Sequence, residues 1–159
     1  MSERAGKLAD RLDAVVTETL STVAAMPDDK WTAFCEPEQC TVAALASHIG
    51  SSSAGVISIL VQPMAEGRPT PPITQEQLHA GNAHNARENA NRPKADALAE
   101  IRTNGYAAVA AVRGYSDDQL DKTAVLFFSP DPVTTELVIE NALVNHLQEH
   151  LDSINAAIA

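Results

Sequence analysis

The sequence predicts an all-α fold, a four-helix bundle with long loops between helices one and two, two and three, and three and four. Three observations carry it. Apolar residues recur every three or four positions over long segments, capping signals with Pro- and Gly-rich breaks separate those segments, and no segment reads as a strand. The 159 residues are expected to form one domain, and 45% hydrophobic with 20% charged residues is ordinary for a globular protein.

Residues 3 to 26 set Leu8, Leu12, Val15, Val16, Thr19, Leu20 and Val23 on one stripe, the mark of a helix with one buried face. Pro27-Asp28-Asp29 ends it. A connection of about a dozen residues follows, holding Trp31, Phe34, Cys35 and Cys40, and Trp31 is expected to anchor it on the bundle. Thr41 can cap a second helix that runs to about Met64, before Gly67-Arg68-Pro69-Thr70-Pro71-Pro72 breaks the pattern. Thr74 with Gln77 makes a capping box for a third helical region, which contains His79 and His84. Asn91-Arg92-Pro93 interrupts it, and Pro93 suits the first turn of a renewed helix through Leu98, Ile101, Tyr106, Val109 and Val112, with Gly114 at its C-cap. Ser116 with Gln119 resembles another capping box, giving a short turn through Leu120. Residues 123 to 132 read as irregular, with Phe127-Phe128 as core cover or, in a loop leading into the last helix, as the wall of a substrate pocket, and that helix is expected from about Val133 to the end.

The formal net charge of −10, with no cluster of Lys or Arg to reverse it locally, argues against nucleic-acid binding. No apolar run is read as approaching the roughly 20 residues of a membrane span, and the opening Met1-Ser2-Glu3-Arg4 leads into an amphipathic segment without a signal-peptide core. A cytoplasmic location is therefore expected. There the two cysteines would be free thiols, since no second pair completes a zinc finger.

The chemistry is concentrated in His146-Leu147-Gln148-Glu149-His150. Two histidines four residues apart lie about 40° apart round a helix and one turn apart along it, so both imidazoles can reach one ion. Both fall near the direction of Ile139, Ala142, Leu143, Ser153 and Ala157, whereas Asn141, Asn145, Gln148, Asp152 and Asn155 lie opposite, so the pair is expected to face inward. A third imidazole, His48, shares its wheel face with Ala44, Leu45, Val56 and Ile59, and the small Ser52 and Gly55 beyond it would leave room beside its ring. Three histidines on two helices supply the protein ligands of an open, catalytic type of site, whereas structural zinc sites are closed by four. His79 and His84, five residues apart, stand about 140° apart on a helix and cannot join one ion in that way. Glu149 completes a His-x-x-Glu-His pattern like that of inverted zinc proteases, but it sits toward the polar edge, about 100° from His150, and is expected to be solvated.

Thr41-Val42-Ala43-Ala44-Leu45-Ala46-Ser47-His48 and Leu143-Val144-Asn145-His146-Leu147-Gln148-Glu149-His150-Leu151-Asp152-Ser153-Ile154 resemble the DinB-like (YfiT-type) superfamily. So does the Ala/Val-rich stretch Leu98 to Leu120, ending Arg113-Gly114-Tyr115-Ser116-Asp117-Asp118-Gln119-Leu120. The resemblance covers helices two to four and the order of the whole chain. It implies a four-helix bundle, often dimeric, in which His48, His146 and His150 hold a divalent metal, usually zinc or nickel. It also implies an enzyme, since relatives include thiol-dependent S-transferases and isomerases that use mycothiol, bacillithiol or glutathione. The superfamily name derives from a DNA-damage-inducible gene and implies no DNA binding. Mycothiol-dependent maleylpyruvate isomerases have a second, C-terminal domain that is not expected here, which weighs on that particular reaction, and Cys40 stands where relatives often carry tryptophan.

Residues and resemblance together lead to two expectations. The first is a metal-dependent enzyme that activates a low-molecular-weight thiol or a water against a small electrophilic substrate, as a transferase, isomerase or hydrolase. Its selectivity would come from residues 65–74 and 123–132, and His84 would be a candidate base near the bundle mouth. The second is a non-catalytic bundle whose histidines bind metal or pack. A self-dimer through a helix face is compatible with either, and no motif for another protein partner is present.

Overall fold

Ser2 begins the first helix by accepting the Ala5 backbone N–H on its side-chain oxygen, and α1 (Glu3–Ala25) then buries the predicted stripe from Leu8 to Val23. The structure, a computed structural model, describes residues 2–159. Pro27 turns the chain into a short 3-10 turn, Asp28–Lys30, and a two-residue ladder follows, β1 (Phe34–Cys35) against β2 (Cys40–Thr41). Trp31 is buried as expected, and its indole Nε1–H donates to the Arg92 carbonyl at 2.7 Å, pinning this connection to the break at Asn91-Arg92-Pro93.

Thr41 caps α2 (Val42–Glu66), its hydroxyl accepting from Ala44 N–H. This helix corrects the reading of the apolar runs. Its 25 residues are long and apolar enough to cross a membrane by length and composition, because no Asp, Glu, Lys or Arg interrupts them before Glu66. Half of its most apolar window is instead buried within the bundle. A π-turn, Ile57–Val61, lies in its second half.

The capping box of Thr74 and Gln77 is present and starts α3 (Gln75–Glu88), but this is not one of the four bundle helices. Leu78 is its only large aliphatic residue, so it has no stripe to bury, and none of its residues is buried. It lies along the flank of α2. The third bundle helix is α4 (Lys94–Arg113), which packs against both α1 and α2. Glycine permits both approaches: a Cβ on Gly105 would fall 2.7 Å from Val16 Cγ1, and one on Gly50 would fall 3.1 Å from the Ile101 backbone nitrogen. Gly114 does sit at the C-cap, but at φ −79 it is right-handed and does not exploit the freedom of glycine.

After the capped turn α5 (Asp117–Leu120), the stretch expected to be irregular forms an antiparallel hairpin, β3 (Thr123–Leu126) and β4 (Ser129–Thr134), with a bulge between Ala124 and Leu126. Pro130 and Pro132 hid it, yet a two-stranded ribbon has free edges on which proline removes no ladder bond. Leu126 is buried beneath it, whereas Phe128 is 46% exposed and so does not cover the core. The last helix, α6 (residues 135–158), starts two residues later than expected, capped by Thr134. It contains a π-turn, Glu140–Asn145, immediately before His146. It packs against α1 and α2, so the bundle runs α1, α4, α2, α6 round its axis, and His48 on α2 faces the histidines of α6.

Candidate metal centre

The three histidines converge. His48 Nε2 and His146 Nε2 are 3.3 Å apart, and His150 Nε2 is 3.1 Å from His146 Nε2. All three potential ligand atoms lie within 4.8 Å of one another. Bonds of about 2.0–2.1 Å at tetrahedral angles would hold ligand nitrogens about 3.3 Å apart, which the two contacts of His146 match, while the third separation is within 4.8 Å. The most deeply buried positions of α6 are Thr135, Ile139, Leu143, Leu147, Leu151 and Ile154; the histidines stand beside that stripe, His150 only 9% exposed and His146 half-buried at the edge of a cavity.

Glu38 was missed in the sequence. The 3-10 turn Glu36–Glu38 and the left-handed Gln39 (φ 53), closed by the β1–β2 ladder, bring its carboxylate to α6. There Glu38 Oε1 accepts from His150 Nδ1 at 2.9 Å and from the Ser153 hydroxyl at 2.9 Å. With Nδ1–H held by the carboxylate, a neutral His150 would turn its Nε2 lone pair toward the other two rings, the arrangement of metal-ligating histidines oriented by a carboxylate. Burial raises the Glu38 carboxyl, but the hydrogen bond and charge of His150, with Ser153 and His146, outweigh it and hold the group below its ordinary value.

His48 and His146 are pushed down to about 4, first by burial and then by the charge of His150, against a smaller opposing pull from Glu38. At neutral pH both rings are uncharged. His146 Nε2 meets two ring nitrogens, and one proton on it can serve only one of those contacts, so protons alone leave the cluster unsatisfied. A cation facing all three lone pairs resolves this, and the donor set suits a borderline divalent ion.

The remaining direction opens into a cavity of about 310 Å³ between α2, the β1–β2 turn and α3, bordered by Cys40, Ala44, Leu45, Asn82 and Asn85. Cys40 is thus at the mouth, but burial, with the charges of Cys35 and Glu38, raises its thiol to about 11. Cys35 is buried, its thiol 3.4 Å from the Ser153 carbonyl, and both cysteines are free. Glu149 is exposed, as expected from its wheel position. His79 and His84 are exposed on α3 and border neither this cavity nor its neighbour, which removes the support for His84 as a base.

The family model for the mycothiol maleylpyruvate isomerase N-terminal domain matches residues 12–152. The chain belongs to that family. Membership agrees with the DinB-like relationship read from the helix-two and helix-six motifs. Among solved structures, the chain is similar to YfiT from Bacillus subtilis, described as a probable metal-dependent hydrolase with an unusual four-helix bundle topology. That match has a TM-score of 0.74 at 17% identity and covers 99% of this chain and 87% of that one. An uncharacterized protein from Clostridium difficile 630 matches with a TM-score of 0.75 at 12% identity, over 98% of this chain and 96% of that one. At such identities these likenesses establish the bundle fold of this family member. No curated protein matches its sequence.

Proposed function

We propose that the protein is a metal-dependent enzyme whose divalent ion, zinc or nickel, is held by His48, His146 and His150, and which activates a small thiol or a water against an electrophilic substrate. The observation that carries this reading is the convergence of three imidazole nitrogens, with those of His48 and His150 each about 3 Å from that of His146, beside an open cavity. Family membership, and the hydrolase description attached to YfiT, support it. An ion with one open position supplies Lewis acidity, lowering the pKa of a water or thiol or polarising a carbonyl.

The protein's own residues set the conditions for that chemistry. Glu38 fixes the tautomer and orientation of His150, and Ser153 holds Glu38. The fully buried Leu147 and Leu151 back the histidines of α6 with apolar side chains, and the open side of the cluster is the cavity. Asn82 and Asn85 border the same cavity as the histidines, where their amides can orient a polar substrate. Cys40, held as a neutral thiol, is not the nucleophile in this scheme.

Metal analysis of protein purified without a histidine tag, beside a His146→Ala variant, is the first test. About one equivalent of metal in the parent and its loss in the variant are expected. A panel of electrophiles, assayed with and without mycothiol, bacillithiol or glutathione, then tests catalysis. Metal-loaded protein inert across the whole panel would favour a binding or structural role instead.

A further inference from the structure

The metal-facing cavity does not end at His48. A second cavity of about 280 Å³ adjoins it, and His48, Asn82 and Asn85 border both. The chemistry changes across that boundary. The first cavity gathers the histidines, Glu38 and Cys40 among Ala44 and Leu45, whereas the second, apart from Ser51 and Ser52, is walled by Val56 and Ile59 of α2, Ile73 just before α3, Leu78 in its first turn, and Phe127 at the tip of the β3–β4 hairpin. Gly55 opens its floor, since nothing lies within 4 Å of where a Cβ would stand.

The walls are held apart at a cost in exposed apolar surface: Ile59 remains 37% exposed and Leu78 41%. α3 roofs both cavities while burying none of its own residues, so the bundle core gains little from its position. Apolar side chains that converge on a cleft beside a few polar groups are the usual make-up of a small-molecule site. Asn85 suits the junction, because its Oδ1 accepts from Asn89 Nδ2 at 2.8 Å and its amide hydrogens remain for a ligand.

We infer that the second cavity receives an apolar group, an alkyl chain or small aryl ring, carried by the substrate next to the polar centre that reacts at the histidines. The inference rests on the metal site proposed above and adds the substrate class to it. At about 30 Å³ per water-sized group, the cavity takes roughly six to nine non-hydrogen atoms. The substrate class is thus a medium-chain or arylalkyl electrophile, with its reactive group at one end of the apolar part.

Alkyl hydroxamates separate the two claims, because the hydroxamate head binds a metal ion with an open position and the tail reports on the neighbouring cavity. Calorimetric titration of the zinc-loaded protein compares acetohydroxamate with the butano-, hexano- and octano- homologues. The expected result is a gain of about two- to fourfold per methylene, as for burial of each CH₂, levelling off once the cavity is filled. Gly55→Phe, which fills the floor, and Leu78→Glu, on an exposed helix outside the core, should flatten the series while leaving acetohydroxamate affinity at the parent value. Acetohydroxamate binding with no dependence on chain length, or a dependence that survives both substitutions, overturns the apolar subsite and leaves the metal site standing. Failure of acetohydroxamate to bind at all overturns the metal site, and the subsite with it.

Discussion

Replacing Glu38 by glutamine should loosen the metal site without disturbing the fold. The carboxylate accepts from His150 Nδ1–H and from Ser153 at 2.9 Å each, and a glutamine oxygen can keep the first contact while losing the charge. A hydrogen bond to a charged group contributes about 1.5–3 kcal/mol against about 0.5–1.5 for a neutral pair, so the change removes about 1–1.5 kcal/mol from the hold on the imidazole. That corresponds to roughly a five- to tenfold weaker metal affinity. Glu38→Ala also leaves Nδ1–H and the Ser153 hydroxyl without their acceptor, and should reach the upper part of the 10–100-fold range of about that size seen for such partners. Competition against a chromophoric chelator measures both variants, with circular dichroism confirming that each is folded. Affinities within twofold of the parent for both variants would refute the role of Glu38. Glu149→Gln is the paired control, and its exposed position predicts an unchanged affinity.

Three further outcomes follow from the same structure. His48 and His146 stay neutral down to about 4 when folded but titrate near 6.5 when unfolded, so the unfolded chain carries more protons between those values. The stability of the metal-free protein should therefore fall as pH drops from about 6.5 to 4, read as a decreasing denaturant midpoint; a flat profile would contradict the burial of these rings. Gly105→Ala drives a methyl to 2.7 Å from Val16 Cγ1 and should destabilise the α1–α4 contact by about 1–3 kcal/mol, lowering Tm by roughly 2–10 °C, with partial recovery in the Val16→Ala double variant. Cys40, with its thiol raised to about 11, should alkylate slowly with iodoacetamide at pH 8, and Cys40→Ser should leave metal content unchanged.

Much of this molecule follows from local rules that operate within a few residues. The stripe from Leu8 to Val23, the caps at Thr41, Thr74 and Ser116, and the four-residue spacing of His146 and His150 each express helix periodicity or the pairing of a side chain with a nearby N–H. The helical fold class and the inward direction of the three histidines were therefore legible, as was the small-residue space beside His48 that Ser52 and Gly55 provide. Other features depended on contacts between distant segments. Glu38 meets His150 across 112 positions, through a turn with no periodicity to announce it. α3 left the bundle because its residues bring too little apolar surface to compete for the core, and the hairpin formed because neighbouring elements let a proline-bearing strand lie at an edge. Helix and cap energetics are decided within one turn of chain, whereas the partner of a carboxylate and the roof of a cavity are decided by which surfaces the whole chain brings together.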